Sequence, residues 1–164
     1  MNKRLEALKK QLEEIKKEIE ELEESKKEIW KPEFGEHYWY IVGRGHVVHS
    51  CYDEDAFDNE VFDYGNFFKT EAEAEYQAKV QKYTNLFRKY VEGHSKPLDW
   101  NNVNQCKCYA YYSSYQDAIG FYTEHHKKLQ GVIYASERQI LEDAISFVGE
   151  RNFFKYVIGV KNEK

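Results

Sequence analysis

Proline is almost missing from this chain of 164 residues, which holds only Pro32 and Pro97. Each therefore reads as punctuation, and each stands close to a tryptophan, Trp30 or Trp100. No apolar run approaches the roughly 20 residues that span a bilayer, which excludes a transmembrane helix. The N-terminus is rich in Lys and Glu rather than apolar, so no secretory signal is expected. Cysteine is sparse and odd in number (Cys51, Cys106, Cys108), which points to a reducing cytoplasm rather than a disulfide framework. A basic excess is lacking as well. The net charge is −5, whereas nucleic-acid binders draw most of their affinity from a basic domain or stripe. Neither nucleic acid nor a membrane is the expected partner.

What the chain does hold is 41% hydrophobic and 16% aromatic residues. That is enough for a core and excludes wholesale disorder. Residues 2–29 predict one helix with apolar residues at Leu5, Leu8, Leu12, Ile15, Ile19, Leu22 and Ile29. The spacing alternates three and four, with Lys26 breaking one position, which is a coiled-coil seam and an oligomerisation device. A parallel in-register dimer would face Arg4 with Lys9, Gln11 with Lys16 and Glu18 with Glu23. None of these pairs attracts, so an antiparallel pairing, a higher oligomer or packing onto the chain's own body is favoured.

After Trp30 leucine nearly disappears, leaving Leu86, Leu98, Leu129 and Leu141, and the strand formers Tyr, Phe, Val and Ile take over. Two stretches repeat in order. Gly65-Asn66-Phe67-Phe68-Lys69-Thr70-Glu71 parallels Gly131-Val132-Ile133-Tyr134-Ala135-Ser136-Glu137, and Trp30 precedes Tyr38-Trp39-Tyr40 as Trp100 precedes Cys108-Tyr109-Ala110. Thr70 with Glu73, and Ser136 with Gln139, read as capping boxes. The expected fold is α+β: a coiled-coil-like helix (1–29), then a tandem duplication of strand-strand-strand-helix units (30–96 and 97–164). The strands are expected near 37–42, 47–52 and 66–69, then 107–113, 118–122 and 132–134. The helices are expected at 71–91 and 137–148, with Gly149 as a C-cap and 153–160 as a last strand or apolar tail. Units of about 65 residues bury too little surface alone, so the two should share a core or a sheet.

The run Trp30-Lys31-Pro32-Glu33-Phe34-Gly35-Glu36-His37-Tyr38-Trp39-Tyr40-Ile41, the segment Gly65–Glu73 and Trp100-Asn101-Asn102 resemble small proteins of phages and prophages of Gram-positive bacteria. The resemblance covers roughly residues 30–160. It implies a phage-type protein of the host cytoplasm and brings no catalytic residues with it. A shorter match, Phe68-Lys69-Thr70 with Glu73 and Ala74, is similar to the last strand and helix start of the three-stranded arm-binding domains of tyrosine recombinases. Those bind DNA through the sheet, but here Tyr and acidic residues stand where basic strands belong.

Phosphate loops, dinucleotide fingerprints, nucleophile elbows and zinc-protease motifs are all missing; Gly43-Arg44-Gly45 is a hairpin turn. His46, His49 and His125 are the candidates for a general base, and His49, Cys51 and Cys108 with either His125 or His126 a conceivable metal set. Read as structural groups, they give no catalytic residue, no metal and no cofactor. The acidic run Asp53, Glu54, Asp55, Asp58, Glu60, Asp63 reads as a solvated loop. What remains is an aromatic surplus on the first strand of each unit. Trp39, Tyr40, Tyr109, Tyr111, Tyr112 and Tyr115 are the binding candidates, because exposed Tyr and Trp anchor interfaces. The expectation is a non-enzymatic accessory protein that binds a host protein, or sequesters a nucleotide-like small molecule, in counter-defence. The alternative is a nucleic-acid-binding module using Lys79, Lys82, Arg88 and Lys89 or the tyrosine-rich strands.

Overall fold

The computed structural model describes residue 4, residues 8–17 and residues 29–160. The chain divides into two compact units, Met1–Glu33 and Phe34–Lys164. In the first, residues 8–17 are helical (α1). Leu8, Leu12 and Ile15 expose 56, 54 and 53% of their surface, so this part of the seam is an open apolar stripe. Ile29 is also exposed. Leu5, Ile19 and Leu22 lie outside the described residues.

The second unit is mixed α+β. Strands β1 (His37–Val42) and β2 (His46–Cys51) form one antiparallel hairpin, and β3 (Lys107–Ser113) and β4 (Ala118–Glu124) form another. The first turn, Gly43–Gly45, places Arg44 at φ 66° and Gly45 at φ 78°. Left-handed backbone of this kind favours glycine. The helices are α2 (Ala56–Asp63), α3 (Glu71–His94), α4 (Arg138–Val148) and the short α5 (Glu150–Asn152), which runs into a π-helical turn, Phe153–Ile158.

After each hairpin the chain returns to the hairpin's first strand and then enters a helix. The return is one backbone pair, so the third strand expected in each unit is reduced to a bridge. Trp39 and Phe68 exchange N–H···O bonds of 2.8 and 2.9 Å, and Cys108 and Ala135 exchange two of 2.8 Å. Asn66 extends the first return with its side chain: its Oδ1 accepts from the Ile41 N–H (3.0 Å) and its amide donates to the Ile41 carbonyl (2.8 Å). The hairpins form two separate two-stranded sheets rather than one.

Helix α3 serves both. Ala78 lies against the first hairpin's turn at Gly45. Farther along, Phe87 and Val91 enter a core with Cys108, Ala135, Leu141, Ala144, Ile145, Val148 and Phe153. The helix starts on Thr70, whose hydroxyl accepts from the Glu73 N–H while Glu73 returns to the Thr70 amide: the expected capping box is formed.

Three expectations are corrected. Only the start of the acidic run, 53–55, is a loop: residues 56–63 are helical, because Asp55 is an N-cap accepting from the Asp58 N–H (2.7 Å) and Val61 is buried. Residues 153–158 are helical rather than a strand or tail, with Phe153 packed on Phe87 and Tyr156 stacked on Tyr83. The second capping box does not form. Helix α4 starts one residue late, at an N-cap Glu137 without a side-chain bond. The Ser136 hydroxyl instead accepts from the Lys96 N–H, and Gln139 donates to Asp143.

Candidate functional site

Strand alternation divides the second hairpin into two faces. Cys108 and Ala110 on β3, with Ile119 and Phe121 on β4, turn toward the core. Lys107, Tyr109 and Tyr111, with Gly120, Tyr122 and Glu124 opposite them, form the other face. There Tyr109 is the hub of an aromatic cluster. Its ring lies 5.7 Å from Tyr122, 6.4 Å from Tyr111 and 5.4 Å from Tyr134, which in turn meets Trp100 edge-on at 4.9 Å. Burial, and then the neighbouring Tyr134 and Tyr122, push the Tyr109 hydroxyl above its ordinary pKa. The phenol stays neutral, a hydrogen-bonding rather than a charged group.

Tyr111 lies across Gly120, directly opposite it in the register. A Cβ at position 120 would come within 2.6 Å of the Tyr111 hydroxyl, so only glycine lets the ring lie flat. Tyr111 and Tyr122 form the open end of the cluster, at 41 and 53% exposure, while Tyr134 is buried at its base.

The loop 97–106 closes the other end. Gln105 holds it by accepting from the Asp99 N–H (2.6 Å) and donating to the Pro97 carbonyl (2.8 Å). Beneath it Lys107 is fully buried, donating to the carbonyls of Asn102 (2.8 Å) and Gln105 (3.0 Å), with its ammonium 5.4 Å from the Trp100 ring centre. Carbonyl dipoles and the ring face replace the lost water. Glu124, opposite Lys107, accepts from the His126 and His125 amides, and those bonds hold its carboxyl below the ordinary range.

The six aromatic candidates do not share one surface. Tyr109 and Tyr111 lie on this face. Tyr112, next in sequence, turns to the opposite face, where its ring meets Phe154 and its hydroxyl donates to Asp117. Tyr115 sits in the turn at 97% exposure. Trp39 packs on His49 across the first hairpin, and Tyr40, on that hairpin's other face, meets Phe57 of α2. Sequence reasoning missed Tyr122, Trp100 and Tyr134 as partners of Tyr109. Pairing the strands around a 114–117 turn would have placed Tyr122 opposite Tyr109.

The conceivable metal set is not gathered either. Cys108 is buried beside Thr123 in the second hairpin, while His49 and Cys51 lie on the first. Asp53, Asp55 and Asp58 do lie together, with oxygens within 4.8 Å. Each carboxylate already accepts a hydrogen bond: Asp58 from the Tyr38 hydroxyl of β1 (2.6 Å) and from the Asp53 N–H (2.7 Å), Asp55 from the Asp58 N–H, and Asp53 from the Asp55 N–H. No family model matches the chain, and neither does any curated protein or solved structure.

Proposed function

We propose that this is a non-enzymatic, phage-type accessory protein that docks a host protein through the Tyr109–Tyr111–Tyr122 face, in the host cytoplasm and in the service of counter-defence. The observation that carries the reading is Tyr111 held flat on Gly120 beside Tyr122. The rings are ordered before any partner arrives, so little side-chain entropy remains to be lost on binding. Aromatic groups with a polar tip at the end of a rigid, well-packed cluster are the usual anchors of protein interfaces.

Two further readings belong to the proposal. The seam Leu5, Leu8, Leu12, Ile15, Ile19, Leu22 and Ile29 joins copies of the chain and multiplies the docking face. The open stripe of Leu8, Leu12 and Ile15 supports this. Residues 30–96 and 97–164 are a tandem duplication. The matching order of hairpin, return pair and helix supports it, and so does the register. Phe68 pairs with Trp39, and the Cys108–Ala135 pair sets Tyr134 opposite Tyr109, the residues aligned with Phe68 and Trp39. The bonded pair has slid by one residue between the halves.

The test is native mass spectrometry of the full chain recovered from a bacterial lysate. A host polypeptide is expected at fixed stoichiometry on an oligomer of the chain. It should be lost from the Tyr111→Ala/Tyr122→Ala protein while that protein still melts in one cooperative transition well above the assay temperature. Retention of the same polypeptide by the double variant, or a clean parent protein, overturns the docking face.

A further inference from the structure

The turn of the first hairpin and one face of α3 line a half-open cavity of about 390 Å³. Arg44 lines it from the turn, and Lys82 and Lys89 from the helix, beside the apolar Ala78 and Leu86; the Lys82 ammonium stands 5.3 Å from the Tyr83 ring centre. Residues 78, 82, 85 and 89 are spaced four, three and four apart, so they share a helix face. Lys82 and Lys89 stand two turns apart, roughly 10 Å along the axis. Arg44 is brought to them by the close seating of the turn. A Cβ on Gly45 would lie only 3.9 Å from that of Ala78, and Arg44 itself takes a left-handed conformation uncommon for a residue with a side chain.

The cavity's charge is uncompensated. Among the described residues no carboxylate pairs with Arg44, Lys82 or Lys89, and none lines the cavity. Lys79, by contrast, is held by Glu75 at 3.8 Å and stands outside it. Three exposed cationic side chains thus line one groove, none of them paired with a carboxylate among the described residues, in a chain of net charge −5. The positive surface does not run on as a stripe. Helix α3 opens with Glu71, Glu73 and Glu75 and carries Glu92 near its end.

We propose that this cavity binds a phosphorylated small molecule of nucleotide size. Arg44 presents a planar fork suited to two oxygens of one phosphate, and Lys82 and Lys89 serve as point charges along a phosphate chain. Gln81 and Asn85, between them, offer carboxamides to the uncharged remainder. The volume falls within the ~300–1,000 Å³ of small-molecule sites, and acidic residues at both ends of α3 disfavour a long nucleic-acid backbone. The site gives the small-molecule partner expected from the sequence a place in the fold, and stands whether or not the tyrosine face docks a protein.

Titration calorimetry of the full chain with ATP, with inorganic tripolyphosphate as competitor, tests this. Saturable binding of one ATP per chain is expected, displaced by tripolyphosphate and weakened by salt. Arg44→Gly removes the guanidinium while suiting the turn's backbone, and Lys82→Ala and Lys89→Ala are exposed changes. Each should weaken binding about tenfold, as loss of a charge-assisted bond does, at unchanged melting temperature. Lys79→Ala and Tyr111→Ala/Tyr122→Ala should bind as the parent does, so this site and the docking face fail separately. The proposal is overturned if neither ATP nor tripolyphosphate binds at low salt. It is equally overturned if Lys79→Ala weakens binding as much as Lys82→Ala, or if mixed-sequence single-stranded DNA binds more tightly than ATP through the same three cations.

Discussion

Around the first hairpin the innermost polar group is a carboxylate, and around the second it is an ammonium. Asp58, 3% exposed, accepts from the Tyr38 hydroxyl and the Asp53 amide. Lys107, fully buried, donates to two loop carbonyls beneath Trp100. In both places a buried charge is held by hydrogen-bond partners, which is what burial of an ion demands. The surroundings differ. The contiguous apolar core is shared, but most of its buried residues come from the second half: Phe87 and Val91 of α3, from the first, meet Leu141, Ala144, Ile145, Val148 and Phe153 there. Near Asp58 the buried apolar groups are Tyr38, Tyr52 and Val61, and the first half depends correspondingly more on its polar node. One local plan is thus stabilised by burial in one half and by hydrogen bonds in the other, and the first half should open at lower free energy than the second.

Leu141→Ala makes the largest hole in that comparison. Leu141 is fully buried, and truncation there should cost about 2–5 kcal/mol in urea denaturation. Val61→Ala, in the first half, should cost less than half as much. Equal costs would erase the distinction between the halves.

Asp58→Ala probes the other side. It leaves the Tyr38 hydroxyl and the Asp53 N–H without their acceptor, at about 3 kcal/mol for the two. The wild-type carboxyl also makes the first half acid-sensitive. Burial pushes its pKa up, but the bonds from Tyr38 and Asp53 outweigh burial and leave it below the ordinary value. A depressed folded pKa gives stability that is complete above the unfolded value, ~3.9, and is lost as pH falls from there toward the folded pKa. Melting curves between pH 5 and 3 should therefore fall for the parent and flatten for Asp58→Asn. Parallel curves would show that Asp58 is not the acid-labile group.

A third change acts on the tyrosine face of the second hairpin. Gly120→Ala pushes Tyr111 off the strand and should cost about 1–2 kcal/mol, as overpacking does. In the Tyr111→Ala background the same substitution should cost almost nothing, because the ring it strikes is gone. A double-mutant cycle by thermal denaturation reads the difference as coupling. Additive costs would mean that the ring does not rest on Gly120.

Much of this fold is legible in the sequence, and the misses have physical causes. Strands 37–42 and 107–113 announce themselves by runs of aromatic and β-branched residues, and α3 by its capping box. Helix α2 is hidden because its charges, Asp55, Asp58, Glu60 and Asp63, dominate the composition. The informative signal there is Asp55 three residues before Asp58, an N-cap followed by a first-turn acid. The aromatic site is half legible. Tyr109 and Tyr111 can be named from one strand, but naming neighbours in sequence gathers opposite faces, as with Tyr112. Their true partners come from register (Tyr122) and from a distant loop (Trp100), which no local pattern encodes. The cavity at Arg44 is of the same kind, built from a turn and a helix 38 residues apart between Arg44 and Lys82.

The smallest predicted effect separates two sequence signals that look alike. Thr70-x-x-Glu73 and Ser136-x-x-Gln139 carry the same pattern, yet only the first closes. The Thr70 hydroxyl satisfies the Glu73 N–H at the start of a 24-residue helix. Thr70→Ala should accordingly cost about 1 kcal/mol, the usual loss for an N-cap. The Ser136 hydroxyl satisfies the Lys96 amide instead, an exposed bond that water replaces readily, so Ser136→Ala should cost only a few tenths of a kcal/mol. Hydrogen exchange resolves the two mechanisms where global stability does not. Thr70→Ala should speed exchange at the first amides of α3, and Ser136→Ala should do so at Lys96 while leaving the first turn of α4 untouched. Faster exchange at the start of α4 in Ser136→Ala would mean that the second box does close in solution, making the two halves more alike at their helix starts than the geometry here shows.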